Sequence, residues 1–245
     1  MTGPAQEDAS PTTPEGHILS RFDGDLGYFR GLVLNMGSRV HSQVARAGEA
    51  LVSCDAAKAR KVIREYRDIR DIDIEAQEAN ARLFAIHKPV ARDLRFVLTL
   101  SRTVYDLERI NGETLRLADI AEALYERPPS VNDLAIFEDV RRIAVPAGDL
   151  LERSLQAVAN EDLHLAAEVV FDGKDLEHIF RGAVRRLATY LMEDPRNIRY
   201  VIDATLGIKA MERIGDHACS IARNLIFSVT GKDVRHVHTA SLGSA

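Results

Sequence analysis

Turn-forming residues are scarce in this chain, and the scarcity limits it to long, uninterrupted elements. Its 15 glycines and 8 prolines make up about 9% of 245 residues, against roughly 12% in an average protein. Ala, Leu, Arg and Glu recur throughout, whereas aromatic residues are few: 8 Phe, 6 Tyr and no Trp. That balance favours helices over strands, so an all-α fold is expected. With 46% apolar residues the chain can bury a substantial core, as one large domain or two small ones.

Proline and capping signals divide the sequence into six long helices. The first runs from about Ile18 to Ser53, and the second starts behind Asp55, an N-cap, and reaches Ile86. His87-Lys88-Pro89 ends it, because a residue preceding proline is driven out of the helical region. A third helix is expected from about Val90 to Tyr125, a fourth from Asn132 to Ala159, a fifth from the Asp162 cap to Met192, and a sixth from Pro195 to Val229. Pro195 suits a first helical turn and Gly231 a stop.

Three helices, a proline-rich linker and three more helices suggest an internal duplication. With an offset of 104, Arg95-Phe96-Val97-Leu98 meets Arg199-Tyr200-Val201-Ile202, and Leu107-Glu108-Arg109-Ile110 meets Met211-Glu212-Arg213-Ile214. Upstream the offset becomes 107, pairing Asp55 with Asp162, Ala59 with Ala166, Val62 with Val169 and Asp68 with Asp175. The expected architecture is therefore two tandem three-helix bundles. Residues 17–126 form the first and 132–231 the second, joined by a linker at 127–131, with a disordered tail at 1–16 and a flexible one at 232–245. On the sixth helix Val201, Ala204, Ile208, Met211, Gly215, Ala218, Ala222 and Leu225 follow the three-four spacing of a bundle seam.

Composition excludes several functions. The net charge is −5 with both signs scattered, so no basic surface for nucleic acid is implied. Cys54 and Cys219 form neither a disulfide framework nor a thiolate zinc site, which suits a reducing cytoplasm. The N-terminus lacks signal-peptide features and no apolar run is long enough to span a bilayer, so direct membrane insertion is not expected. Phosphate-cradling loops, nucleophile elbows and Cys/His constellations are absent from the sequence, leaving nucleotide hydrolysis and nucleophilic catalysis without support.

The residues that could carry chemistry lie on the third and sixth helices. Glu212 and Asp216 are four apart, so their carboxylates share a face beside Gly215, which leaves them unshielded. Lys209 and Arg213 could neutralise them on a solvated face; alternatively the pair is half of a site for a divalent cation. His217 points about 100° away from Asp216 and does not extend that site. Glu161 and His164 give the one Glu-x-x-His spacing, too little for a ferritin-like centre, and His236 and His238 receive no role. Arg95, Arg109, Arg199 and Arg213 recur at matched positions. They either pair with acids, as Arg109 with Asp106 and Arg213 with Asp216, or offer forked donors to an acidic partner surface or phosphate.

Met211-Glu212-Arg213-Ile214-Gly215-Asp216-His217-Ala218, followed by Ile221-Ala222, resembles the signature of the PhoU family of phosphate-uptake regulators. The first half carries a similar stretch from Pro89 through Asp93-Leu94-Arg95 to Asp106-Leu107-Glu108-Arg109-Ile110. The resemblance extends from about His17 to Gly231. It implies a cytoplasmic protein without enzymatic activity that restrains the phosphate-starvation response when phosphate is plentiful. It also implies action between the ATPase subunit of a phosphate ABC transporter and a membrane sensor histidine kinase, and a homodimer. No cofactor is required, although some family members hold iron, zinc or another divalent cation at an acidic (Glu/Asp)-x-x-x-Asp motif in each half. Glu212 and Asp216 match that motif, and Glu108 starts its counterpart. The first copy is broken: Gly112 stands where the second acid belongs, and Glu113 comes one residue late, turned about 100° around the helix. The competing reading is a carboxylate-bound metal protein, either a store or an enzyme, on a helical bundle.

Overall fold

The computed structural model describes residues 14–130 and 133–231. Six α-helices account for nearly all of them: α1 (Pro14–Ser53), α2 (Ala56–His87), α3 (Ala91–Glu126), α4 (Glu138–Asn160), α5 (Leu163–Glu193) and α6 (Ile198–Thr230). No strand occurs among the described residues. Most expected boundaries agree to within a few residues, and α1 starts at Pro14, inside the expected tail. The rest of the two expected tails, 1–13 and 232–245, and linker residue 131 lie outside the described residues.

Two helix starts differ for identifiable reasons. The fourth helix was expected from Asn132, which lies outside the described residues, but a 3-10 turn at Asp133–Phe137 precedes α4. That turn drives Ile136 and Phe137 fully into the core, with Phe137 set edge-on to Tyr200. Pro195–Asn197 likewise form a 3-10 turn before α6, capped by Asp194, whose carboxylate accepts from the Arg196 backbone amide at 3.0 Å.

The duplication is visible atom by atom at the turns joining the first two helices of each half. Cys54 and Glu161, related by the offset of 107, both adopt left-handed φ angles, 50° and 52°. The next residue is an aspartate that caps the following helix: Asp55 accepts from Ala57 N and Lys58 N, Asp162 from His164 N and Leu165 N. Arg46 and Arg153 share the same offset and meet the equivalent acids on the next helix, Glu65 at 2.8 Å and Asp172 at 2.6 Å.

The halves do not stand apart. Within each, three helices pack on one another; between them, α3 lies against α6 as extensively as any pair within a half, and α1 against α4. One hydrophobic cluster includes Phe29 and Met36 of α1, Ile69 of α2, Leu107 of α3, Leu151 of α4, Val169 of α5 and Ile214 of α6. The α1–α4 approach depends on missing side chains: a Cβ on Gly37 would lie 2.7 Å from Leu155 Cδ2, and one on Gly48 would lie 3.4 Å from Ala144 Cβ. These two contacts interchange under the offset of 107, so a pseudo-two-fold axis passes between α1 and α4.

Candidate functional site

The same axis passes between α3 and α6, where the matched motifs meet. The helices run antiparallel: Arg95 Nε donates to Ser228 O at 2.8 Å, Thr99 Oγ1 to Asn224 O at 3.1 Å, and Arg213 Nη1 bonds Glu113 Oε1 at 3.0 Å. Between them Asp106 Oδ1 meets His217 Nδ1 at 2.9 Å. The heptad-like spacing of each helix buries its apolar seam inward and leaves this polar row at the outer edge of the contact.

These partners replace the expected ones. Asp106 was expected to pair with Arg109 along α3; instead its buried carboxylate belongs to His217 across the seam, while Arg109 lies over the Tyr105 ring at 4.9 Å and 3.6 Å from Glu108. Arg213 reaches Glu113 rather than Asp216. Glu113, turned off the acidic-motif face, is thereby committed to the junction of the halves, with Arg116 at 3.8 Å on its other side. Arg199 pairs loosely with Asp203, at 3.9 Å.

Glu212 and Asp216 do share a face of α6, but Gly215 between them is not open. A Cβ there would overlap Leu176 Cδ2, because the absent side chain is what lets α5 lie directly on α6. Nearby, Gly173 admits the Cys219 thiol, whose burial pushes its pKa up to about 11. Lys209 Nζ bonds Glu212 and also sits 5.0 Å from the Phe180 ring. Partial desolvation raises the Asp216 carboxyl above the usual carboxylate range, although the residue reaches solvent, and the neighbouring Glu212 charge adds to this.

Glu108 is half-exposed, and space is free around Gly112, so the first half offers one carboxylate where the second offers two. Two carboxylates a turn apart give a cation two anionic ligands, one of them already held by Lys209, and leave the remaining positions to water. Among the described residues no group of three or more His, Cys, Asp or Glu side chains gathers to hold a metal.

The pairing of Asp106 with His217, as well as Thr99 and Arg102, which donates to Asn224 Oδ1 at 3.3 Å, was not read from the sequence, although Asp106 itself was a candidate. Arg102 had a legible signal: with Arg95, Arg109 and Arg116 it completes a run spaced seven apart.

A duplicated pair of three-helix bundles, fused about a two-fold axis with an acidic motif on the last helix of one half, defines a class of all-α proteins. A family profile for the PhoU domain matches residues 33–121 and again 140–225, one match in each half, and the chain belongs to the PhoU family. It is 36% identical over 222 residues to the phosphate-specific transport system accessory protein PhoU homolog of Pseudomonas aeruginosa, covering 90% of each chain. To the phosphate-specific transport system accessory protein PhoU of Escherichia coli it is 31% identical over 221 residues, again covering 90% of each. The crystal structure of PhoU from Pseudomonas aeruginosa superposes with a TM-score of 0.81 at 34% identity, covering 86% of this chain and all of that one (100%). That of the phosphate transport system regulatory protein PhoU from Streptococcus pneumoniae, at 23% identity and a TM-score of 0.77 over 87% of this chain and 99% of that one, has the same fold. No described helix is long and apolar enough to cross a membrane.

Proposed function

We propose that this chain is a cytoplasmic, non-enzymatic adaptor that restrains the phosphate-starvation response and modulates phosphate uptake. It acts between the ATPase subunit of a phosphate ABC transporter and a membrane sensor histidine kinase. The observation that carries this reading is the similarity, over nine-tenths of both chains, to a protein named as an accessory of a phosphate-specific transport system. A rigid body with one continuous core supports it, because such a body can present fixed surfaces to two partners at once.

Deleting the gene is expected to leave a starvation-induced phosphatase expressed constitutively in phosphate-rich medium; unchanged expression would sink the reading. Pull-downs from phosphate-rich and phosphate-starved cells are expected to recover both the ATPase subunit and the kinase. A homodimer belongs to the same proposal and is read by sedimentation.

A second reading rests on the neighbouring carboxylates Glu212 and Asp216, whose mutual repulsion a divalent cation such as iron or zinc would relieve. Elemental analysis of untagged protein, compared with the Glu212→Ala/Asp216→Ala double variant, tests it. Metal below one equivalent, with regulation intact in the variant, would remove that reading.

A further inference from the structure

We propose that the outward face of the α3–α6 pair is a docking surface for an acidic amphipathic helix of a partner protein, gripped by arginines set seven residues apart. The proposal rests on the adaptor reading for the partner's biological setting, but the surface itself is argued from geometry.

Arg102, Arg109 and Arg116 follow one another at seven-residue intervals along α3, and Arg199 and Arg213 occupy the matched row of α6 with Leu206 between them. Seven residues are nearly two turns, so each row runs along its helix with steps of about 10.5 Å. All five are on the solvent side: the side chains of Arg109, Arg116, Arg199 and Arg213 are 54%, 52%, 44% and 48% exposed, and Arg102 is exposed too. The acids in the seam itself, Asp106 and Glu113, are buried and already bonded to His217 and Arg213. Glu108, 3.6 Å from Arg109, and the exposed Asp216 flank the rows, so five guanidinium groups face solvent beside two carboxylates.

The spacing selects the occupant. Donors about 10.5 Å apart do not converge on a single phosphate, but they match acids repeated once per heptad on a facing helix. Between the arginines, Tyr105 on α3 and Ile202 and Leu206 on α6 are 57%, 51% and 44% exposed and offer that helix separate apolar contacts along its length. Arginine and tyrosine are enriched at protein interfaces, where lysine is depleted, and arginine forks bind carboxylates bidentately. A membrane surface would be served equally well by lysine, which contributes only Lys209 here, and that residue is held by Glu212.

The test uses a fluorescent synthetic helix of four heptads, with one Glu per heptad flanked by Leu, and a scrambled peptide of the same composition. Anisotropy is expected to report saturable binding to the full chain that weakens with salt and is about tenfold weaker for the scrambled peptide. Arg102→Glu/Arg109→Glu should weaken it by at least about tenfold. Arg102→Lys/Arg109→Lys, which keeps the charge and changes the fork, should give an intermediate loss. An unchanged melting temperature verifies that the variants fold. Binding that is absent, or indifferent to the charge reversal, overturns the proposal. It is also overturned if millimolar inorganic phosphate displaces the peptide, or if the chain binds phosphatidylglycerol vesicles through these arginines more tightly than the peptide. Self-association abolished by the same reversal would reassign the face to a second copy. In cells, a deletion without phenotype refutes the adaptor reading and leaves the peptide result standing. A charge-reversed variant that restores full repression in a deletion strain with a phenotype refutes the docking surface alone.

Discussion

Gly112 and Gly215 sit in the corresponding motifs of the two halves, yet the structure gives them opposite tolerance for a side chain. Nothing lies within 4 Å of a Cβ built on Gly112, whereas one on Gly215 would overlap Leu176 Cδ2 with Leu150 close behind. Gly112→Ala is therefore expected to stabilise α3 by about 0.5–1 kcal/mol through helix propensity, and Gly215→Ala to destabilise the fold by about 1–3 kcal/mol through overpacking. Urea denaturation of both variants checks the pair, and equal signs would contradict the packing. A second contrast concerns Asp203, which the repeat aligns with Thr99. Thr99 Oγ1 donates to Asn224 O, whereas Asp203 Oδ2 is buried with no hydrogen-bond partner and only the loose Arg199 ion pair at 3.9 Å, and its burial raises the carboxyl above the usual carboxylate range against the opposing pull of that arginine. An acid whose pKa is raised on folding costs stability while ionised, and the cost fades as pH falls through the folded pKa. Asp203→Thr is accordingly expected to be more stable than the parent at neutral pH by about 1 kcal/mol. That gap should narrow toward pH 4 in melts followed by circular dichroism; a gap that widens on acidification would contradict the sign.

At the level of elements, the two equivalent helix–helix turns invite one measurement made twice. Asp55 and Asp162 each satisfy two first-turn amides, with bonds between 2.9 and 3.1 Å. Replacing either by alanine is expected to cost about 1 kcal/mol in denaturant unfolding, and the two costs should be similar because the turns are superposable. Both caps were legible in the sequence, as were the six helices, because a cap and a 3.6-residue period are properties of one segment. The start of α4 was not legible, since it depends on the core accepting Ile136 and Phe137 from a 3-10 turn. The ion partners were illegible for a related reason. Spacing along α3 offers Arg109 to Asp106, but His217, 111 positions away in sequence, is brought alongside by helix packing and takes that carboxylate. The same applies to Gly215, whose lack of a side chain reads as exposure in one helix and proves to be the contact point of two.

For the whole molecule, the Arg127-Pro128-Pro129 break reads in the sequence as a boundary between two independent bundles, and the duplication it separates is real. Yet the seams cross the break. Leu51 of α1 fills the space over Gly207 of α6, Met211 approaches Gly48, and Leu155 of α4 lies on Gly37. An isolated half would expose these apolar surfaces, and the buried carboxylates of Asp106 and Glu113 would lose His217 and Arg213 as partners. Cooperative unfolding of the whole follows, since neither half can lose its seam and remain compact. A protease site inserted between Pro129 and Ser130, where the chain is exposed or nearly so, allows a direct measurement. After cleavage the two pieces are expected to co-elute on size exclusion, and the intact chain to melt in a single calorimetric transition. Separation of the pieces under native conditions, or two resolved transitions in the intact chain, would mean that the proline break divides the molecule energetically as well as in sequence.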